Sequence, residues 1–461
     1  MAHPVYDTGI TFNLPESVDM DKHVLGVYYE ENPDTFDDIS TIEASYGEAS
    51  TSTWVHVPGF EDITRQFSTK VVTTFMVPSR EDPSIRKAVV LTATPIDLVG
   101  YNLPMLLSSV AGNIMSLPGM YRLGDLIFPK SFVKETFKGP RFGVPGLREL
   151  FKAPKRPLAL AMVKPKAGLP ADVVAKQCYE LAMGGVDLIK DDEMTSHSPP
   201  RLREERLSKV MTALDKAKDE TGKKVVYLVN VTDRVDRVVE IAETCIKEGA
   251  NGVMVNAWAT GLTALQALSE DPSINVPLLG HPAFSGPLQG LSGLDNALLL
   301  KLVRLCGADI SIFASPWGKF GVNAGPVGAL EVNVRSAVAL MAPLYDIKPS
   351  WPLGGGGLHP GMVQTVADEL GYDVVMGGGG GYSGHPKGAR AGAKAFMQAI
   401  DAVMAGIALE EAAKTNPELK DAIAVWGVHK RPRQAFFDPK KEYLDRRKKM
   451  DTTYGTHIAD Q

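Results

Sequence analysis

Residues 158–193 read LALAMVKPKAGLPADVVAKQCYELAMGGVDLIKDDE. The stretch opens on a short apolar run, LALAMVKPK, continues through a longer amphipathic segment, and closes on a second apolar run, VDLIKDDE. Short apolar runs that end in polar or glycine residues read as buried strands, and the longer segment between them as a helix. The same rhythm continues in KVVYLVNVT (224–232), GANGVMVNA (249–257), VPLLGHP (276–282), ADISIFAS (308–315), KPSWPLGGGG (348–357) and YDVVMGGGGG (372–381), which makes eight runs in all. Eight βα units close naturally into a barrel. An open dinucleotide-binding sheet would carry a Gly-x-Gly-x-x-Gly turn after its first strand, where this chain has Lys164-Pro165-Lys166. The expected fold is α/β, with a C-terminal (β/α)8 TIM barrel over 151–430.

Residues 24–150 have a different texture. HVLGVYYE (23–30), STWVHVPG (52–59), KVVTTFMVP (70–78) and KAVVLTATP (87–95) read as strands, and 35–47 and 101–116 as helices. They predict an N-terminal α+β domain of ferredoxin-like type. Residues 1–23 form an extension, and 431–461 a tail in which EYLDRRKKM (442–450) is a basic run of the kind that usually marks a solvated helix face.

Composition narrows the partners. The 461 residues carry 49 Lys and Arg against 54 Asp and Glu, a net charge of −5, the wrong sign for a protein that neutralises nucleic-acid phosphates. Cys178, Cys245 and Cys306 are far apart and form no Cys-x-x-Cys pair, so neither a disulfide framework nor a zinc site is expected. The acidic, mixed N-terminus does not read as a secretory signal, and no apolar stretch approaches membrane-spanning length. The expectation is a cytoplasmic protein with no membrane or nucleic-acid partner.

A barrel of this kind works at the C-terminal ends of its strands. Those ends carry Lys164 and Lys166, then Lys190, Asp191, Asp192 and Glu193, Asn230, Asn256, His281, and Ser315 with Lys319 just beyond. Side chains alternate along a strand, so Lys190 and Asp192 share a side, and Glu193 can turn inward where the strand ends. Taken alone, this string reads most simply as a lysine salt-bridged to two acids. Were Lys190 carbamylated, three oxygen-bearing groups would converge and suit Mg²⁺. The glycine tracts 354–357 and 377–381 favour that second reading, because they end strands seven and eight, where barrels build phosphate sites from backbone N–H groups. Gly356, Gly357, Gly379 and Gly380 are the candidate anion binders. His281 and His359 are candidate acids or phosphate donors, and Lys319 lies in a glycine-bracketed loop that suits a lid.

These motifs resemble the large subunit of RuBisCO and, more closely, the RuBisCO-like proteins. The resemblance runs over roughly residues 24–430 and rests on GEASTSTW, VAGNI, GPRFGVPGLREL, KPKAGL, GGVDLIKDDE, GHP, Gly318-Lys319 and GGGGGYSGHPKGARAG. It implies that Lys190 is the carbamylated lysine, with CO₂ as the source of the carbamate, and that Asp192 and Glu193 are the other Mg²⁺ ligands. It also implies that Lys164 and Lys166 handle protons and polarise substrate oxygens, that His281 contacts substrate, and that Lys319 is the lid lysine. Glu48, Thr53, Trp54 and Asn113 match positions that a partner subunit's N-terminal domain contributes, so a homodimer or an assembly of dimers with a shared active site is implied.

Three departures bear on function. Carboxylases of the family carry an arginine after the active-site histidine, a histidine on strand six and a serine in the strand-seven turn, all serving one phosphate site. Here those positions are Pro282, Ile312 and Gly355. The resemblance therefore implies a substrate with one phosphate and enolisation in place of carbon dioxide fixation. EDPSINVPLLGHPAFSG, GADISIFASPWG and LHPGMV are similar to the 2,3-diketo-5-methylthiopentyl-1-phosphate enolases, but Asn113 stands where those enolases carry lysine, and Lys166 is present where they lack it. A decarboxylase of a 3-oxo sugar-acid phosphate, a carboxylase and a non-catalytic metabolite binder remain alternatives at this stage.

Overall fold

The computed structural model describes residues 18–33, 46–52, 57–77, 84–165, 168–195, 200–314 and 329–429. Residues 1–428 form one compact unit, and 429–461 are counted as a second. Thr53, Trp54, Lys166, Lys319 and the basic run 442–450 lie outside the described residues.

Four antiparallel strands build the N-terminal sheet: β1 (His23–Pro33), β2 (Lys70–Val77), β3 (Ile85–Pro95) and β4 (Met120–Ile127), in the order β4-β1-β3-β2. Sequence reading missed β4. Its register against β1 slips between Val27 and Tyr28, leaving Gly124 as the extra residue, so the apolar alternation breaks in mid-strand. The strand expected at 52–59 is not present at its described residues, since 57–59 lead through a turn into the helix Glu61–Phe67. Of the helix expected at 35–47, only 46 and 47 are described, and both are helical. The expected 101–116 helix divides into Leu103–Val110 and a 3-10 turn at Asn113–Ser116. Asn102 caps the first piece by accepting the Met105 N–H at 3.1 Å.

All eight runs form strands, and they close into a parallel barrel: β5 (Leu158–Met162), β6 (Leu188–Lys190), β7 (Val226–Asn230), β8 (Val253–Asn256), β9 (Leu278–His281), β11 (Ile310–Ala314), β12 (Trp351–Gly355) and β13 (Val375–Gly378). Between β9 and β11, the two-residue β10 (Gly293–Leu294) joins the N-terminal sheet beside β4. Leu158, Leu160, Leu188, Val226, Leu228, Met254, Leu279, Ile310, Ile312, Leu353 and Val375 pack together as the barrel interior. Their neighbours Ala159, Ala161, Ile189, Tyr227, Val229, Val253 and Val255 pack into the surrounding core. This alternation continues upward, so the interior rows of six strands include Lys190, Asn230, Asn256, His281, Ile312 and Gly355 toward their C-terminal ends. At the opposite end, Asp187 holds Arg156 and Lys223, and the Asp309 carboxylate accepts the backbone N–H groups of Phe142, Gly143 and Leu278.

Candidate active site

Lys190 is the last residue of β6 and is fully buried. Its Nζ donates to the Asp191 carbonyl at 2.8 Å and lies 3.7 Å from Glu193 Oε2. Burial, reinforced by the Lys164 cation, pulls this amine below the usual lysine range despite the Glu193 and Asp192 carboxylates. Asp192 is also buried. Its Oδ2 receives Lys164 Nζ at 2.6 Å, and its Oδ1 accepts the Met194 N–H at 3.1 Å. Glu193 is partly buried, which by itself raises a carboxyl pKa, but its own backbone N–H and the charges of Lys190 and His281 outweigh that and bring it down to about 2. His281 Nε2 stands 3.6 Å from Glu193 Oε2, while its Nδ1 accepts the Ala283 N–H at 3.1 Å. In the neutral ring the proton therefore sits on Nε2, facing the acid.

Lys164 follows β5, and Gln177 fixes its backbone from both sides. Gln177 Oε1 accepts the Lys164 N–H at 3.0 Å, and Gln177 Nε2 donates to the Lys164 carbonyl at 2.6 Å. A Cβ at Gly379 would lie 2.6 Å from Lys164 Cε, so the glycine clears the path of the lysine chain. Gly380 has no neighbour within 4 Å of an added Cβ, and Gly356 and Gly357 hold φ of 99° and 96°, a turn that favours glycine.

The structure thus brings Lys164, Lys190, Asp192, Glu193 and His281 together. Glu48 and Asn113 lie in the N-terminal domain, Glu48 in the helical turn at 46–51 and Asn113 exposed in its 3-10 turn. His359 stacks on Trp426, with ring centroids 5.8 Å apart. At the far side of the site, Ile312 is 5% exposed, and a Cβ at Gly355 would come within 2.9 Å of its Cγ2, so this stretch of the rim is apolar and filled.

Sequence reasoning missed Gln177, Arg206 and Tyr227. Arg206 and Tyr227 both reach the Asp191 carboxylate from other elements, and nothing in their own local sequence marks them. Among the described residues, no three His, Cys, Asp or Glu side chains are grouped to hold a metal ion; the expected ligand set needs Lys190 as its third member.

Residues 143–426 match the ribulose bisphosphate carboxylase large chain catalytic domain, and residues 13–132 match its N-terminal domain. The chain is 41% identical over 402 residues to a ribulose bisphosphate carboxylase-like protein of Archaeoglobus fulgidus, covering 85% of this chain and 90% of that one. It is 37% identical over 347 residues to a 2,3-diketo-5-methylthiopentyl-1-phosphate enolase of Geobacillus kaustophilus, covering 75% and 82%. The octameric ribulose-1,5-bisphosphate carboxylase/oxygenase of Pyrococcus horikoshii OT3 superposes with a TM-score of 0.80 at 30% identity, covering 93% of this chain and 98% of that one.

Proposed function

Because the chain belongs to the ribulose bisphosphate carboxylase large-chain family, in its RuBisCO-like branch, we infer that it is an enolase or isomerase acting on a singly phosphorylated keto-sugar derivative, without fixing carbon dioxide. One observation carries the reading. Five groups able to move protons or balance an oxyanion meet at the C-terminal end of the barrel, across from a stretch of rim that is apolar at Ile312 and Gly355. Losing a charged phosphate partner weakens a second phosphate site, so a substrate with a neutral far end suits this rim.

The donor set fits a hard divalent cation. Lys190 is fully buried and its amine is biased toward the neutral form, which can attack CO₂ to make a carbamate and release a proton. Lys190 so modified, Asp192 and Glu193 would hold Mg²⁺, which supplies a Lewis acid for the substrate's developing oxyanion. A lysine amine in its neutral form would take the proton next to the ketone, leaving the C–H electron pair in a new C=C bond and moving negative charge to the carbonyl oxygen. Lys164, held against Asp192, places an ammonium beside that charge. His281 offers its Nε2 proton, and Lys166, by the family resemblance, would return a proton to carbon. Backbone N–H groups of Gly356, Gly357, Gly379 and Gly380 would bind the phosphate, and Lys319 would close over it. Glu48, Thr53, Trp54 and Asn113 would complete the site of a neighbouring copy in a homodimer or an assembly of dimers.

The test is proton exchange in D₂O followed by NMR, with Mg²⁺ and bicarbonate, across 1-phosphorylated keto sugars and their methylthio analogues. Metal-dependent deuterium incorporation is expected for at least one of them. Fixation of labelled CO₂ onto ribulose bisphosphate, or no exchange with any of the panel, would contradict the reading.

A further inference from the structure

Asp191 sits between Lys190 and Asp192, yet its side chain takes no part in the group just described. It turns outward into the layer between β7 and the helix Pro200–Thr221, where it is 2% exposed. There its carboxylate accepts the Tyr227 hydroxyl, Arg206 Nη2 at 2.8 Å and the Asn230 N–H at 3.2 Å. Two carboxamides act on the other side of the same turn. Asn230 Nδ2 donates to the carbonyls of Asp192 and Glu193, both at 3.2 Å, and Asn256 Nδ2 donates to the Glu193 carbonyl at 3.0 Å. Thr232 links the two asparagines, donating its N–H to Asn230 Oδ1 at 3.0 Å and accepting the Asn256 N–H on Oγ1 at 2.9 Å.

We propose that Asn230 and Asn256, backed by Asp191, are positioning residues that clamp the Asp192–Glu193 backbone so that Glu193 faces the Lys190 amine and Asp192 faces Lys164. The inference rests on the metal-assisted reading above. Asp192 and Glu193 carry like charges on consecutive residues beyond the end of a three-residue strand, and a free turn would let them diverge into water. Asn230 holds the Asp192 carbonyl in the peptide before Glu193, and Asn230 with Asn256 holds the Glu193 carbonyl in the peptide after it, so the backbone is fixed on both sides of Glu193 and at the C-terminal side of Asp192. Asp191 supplies the outer anchor, because its buried carboxylate ties the turn to β7 and to the 200–221 helix at once. Groups that orient metal ligands typically change metal affinity by roughly 10- to 100-fold when removed.

The experiment measures Mn²⁺ affinity by electron paramagnetic resonance, with bicarbonate present, alongside thermal melting. It compares the wild type, Asn256→Leu, Asn230→Leu and a control, Asn251→Leu. Asn251 is also a carboxamide bonded to barrel backbone, accepting the Tyr227 N–H at 2.8 Å and donating to the Val225 carbonyl at 3.0 Å, but it lies at the opposite end of the barrel. The proposal expects Mn²⁺ affinity to fall about 10- to 100-fold in the first two variants. It expects the control to bind as the wild type does, even if it melts earlier. Should either clamp variant refuse to fold, the other still decides the matter. Affinity within twofold of wild type in the clamp variants, or an equal fall in Asn251→Leu, would overturn the clamp. Absence of Mn²⁺ binding in the wild type would instead overturn the metal-assisted reading, and the clamp with it.

Discussion

The two ends of the barrel both bury charged groups, and they balance them differently. At the N-terminal end Asp187 is fully buried and closed by cations: Arg156 Nη2 and Lys223 Nζ each lie 2.7 Å away, and the Ala159 N–H reaches it at 2.9 Å. Burial would raise its pKa, yet the Arg156 and Lys223 charges hold it below the usual carboxylate range. At the C-terminal end Lys190 is just as buried but faces Glu193 at 3.7 Å, and its amine is pulled down. Two cations satisfy Asp187 where it stands, which favours stability. At the other end, Lys190 and Glu193 stand close inside the protein but beyond hydrogen-bond distance, an arrangement costly to the fold and useful for moving protons.

Breaking the satisfied end should have the largest effect on stability. Asp187→Ala leaves Arg156 and Lys223 uncompensated and should cost about 3–5 kcal/mol in denaturant unfolding, with exchange activity per folded molecule unchanged. Loss of activity without loss of stability would erase the contrast. Asp309, at the same end, sharpens it through pH. Burial raises its carboxyl to about 6, against backbone N–H donors that lower it. A raised carboxyl favours the folded state most below the unfolded pKa of 3.8, and that contribution is lost as pH rises through about 6. The stability difference between wild type and Asp309→Asn should therefore fall by up to about 3 kcal/mol between pH 4 and 6 and then level off. A flat difference would contradict it.

At the C-terminal end the order reverses, and activity should move more than stability. Lys164→Met should lower exchange about 100-fold with little change in melting. Gly379→Ala should give a smaller loss, roughly tenfold, because its Cβ must push the flexible end of Lys164 aside without disturbing packed backbone. A variant that melts early but exchanges normally would place Gly379 among structural glycines.

How much of this was legible depended on how far apart the interacting residues lie in sequence. Each barrel strand announces itself in a single run, so all eight were readable. β4 was not, because the bulge at Gly124 scrambles its period. Lys190, Asp192 and Glu193 fall within four residues of one another and could be read together. The contacts of Gln177 with Lys164, of Arg206 with Asp191 and of Tyr227 with Asp191 span 13, 15 and 36 residues and become visible only once the barrel closes. The parity that aims Lys190 inward also aims Asn230 and Asn256. Both were placed at strand ends from the sequence, but a carboxamide has no titratable chemistry from which a role could be assigned.

The most direct test of the account compares wild type with Lys190→Ala in D₂O, using a substrate the wild type turns over, at saturating Mg²⁺ and bicarbonate. The account predicts metal-dependent deuterium incorporation in the wild type and its loss in the variant, while both melt at similar temperatures. Equal exchange in the two proteins would show that the buried lysine is not part of the chemistry, and the central claim would fall.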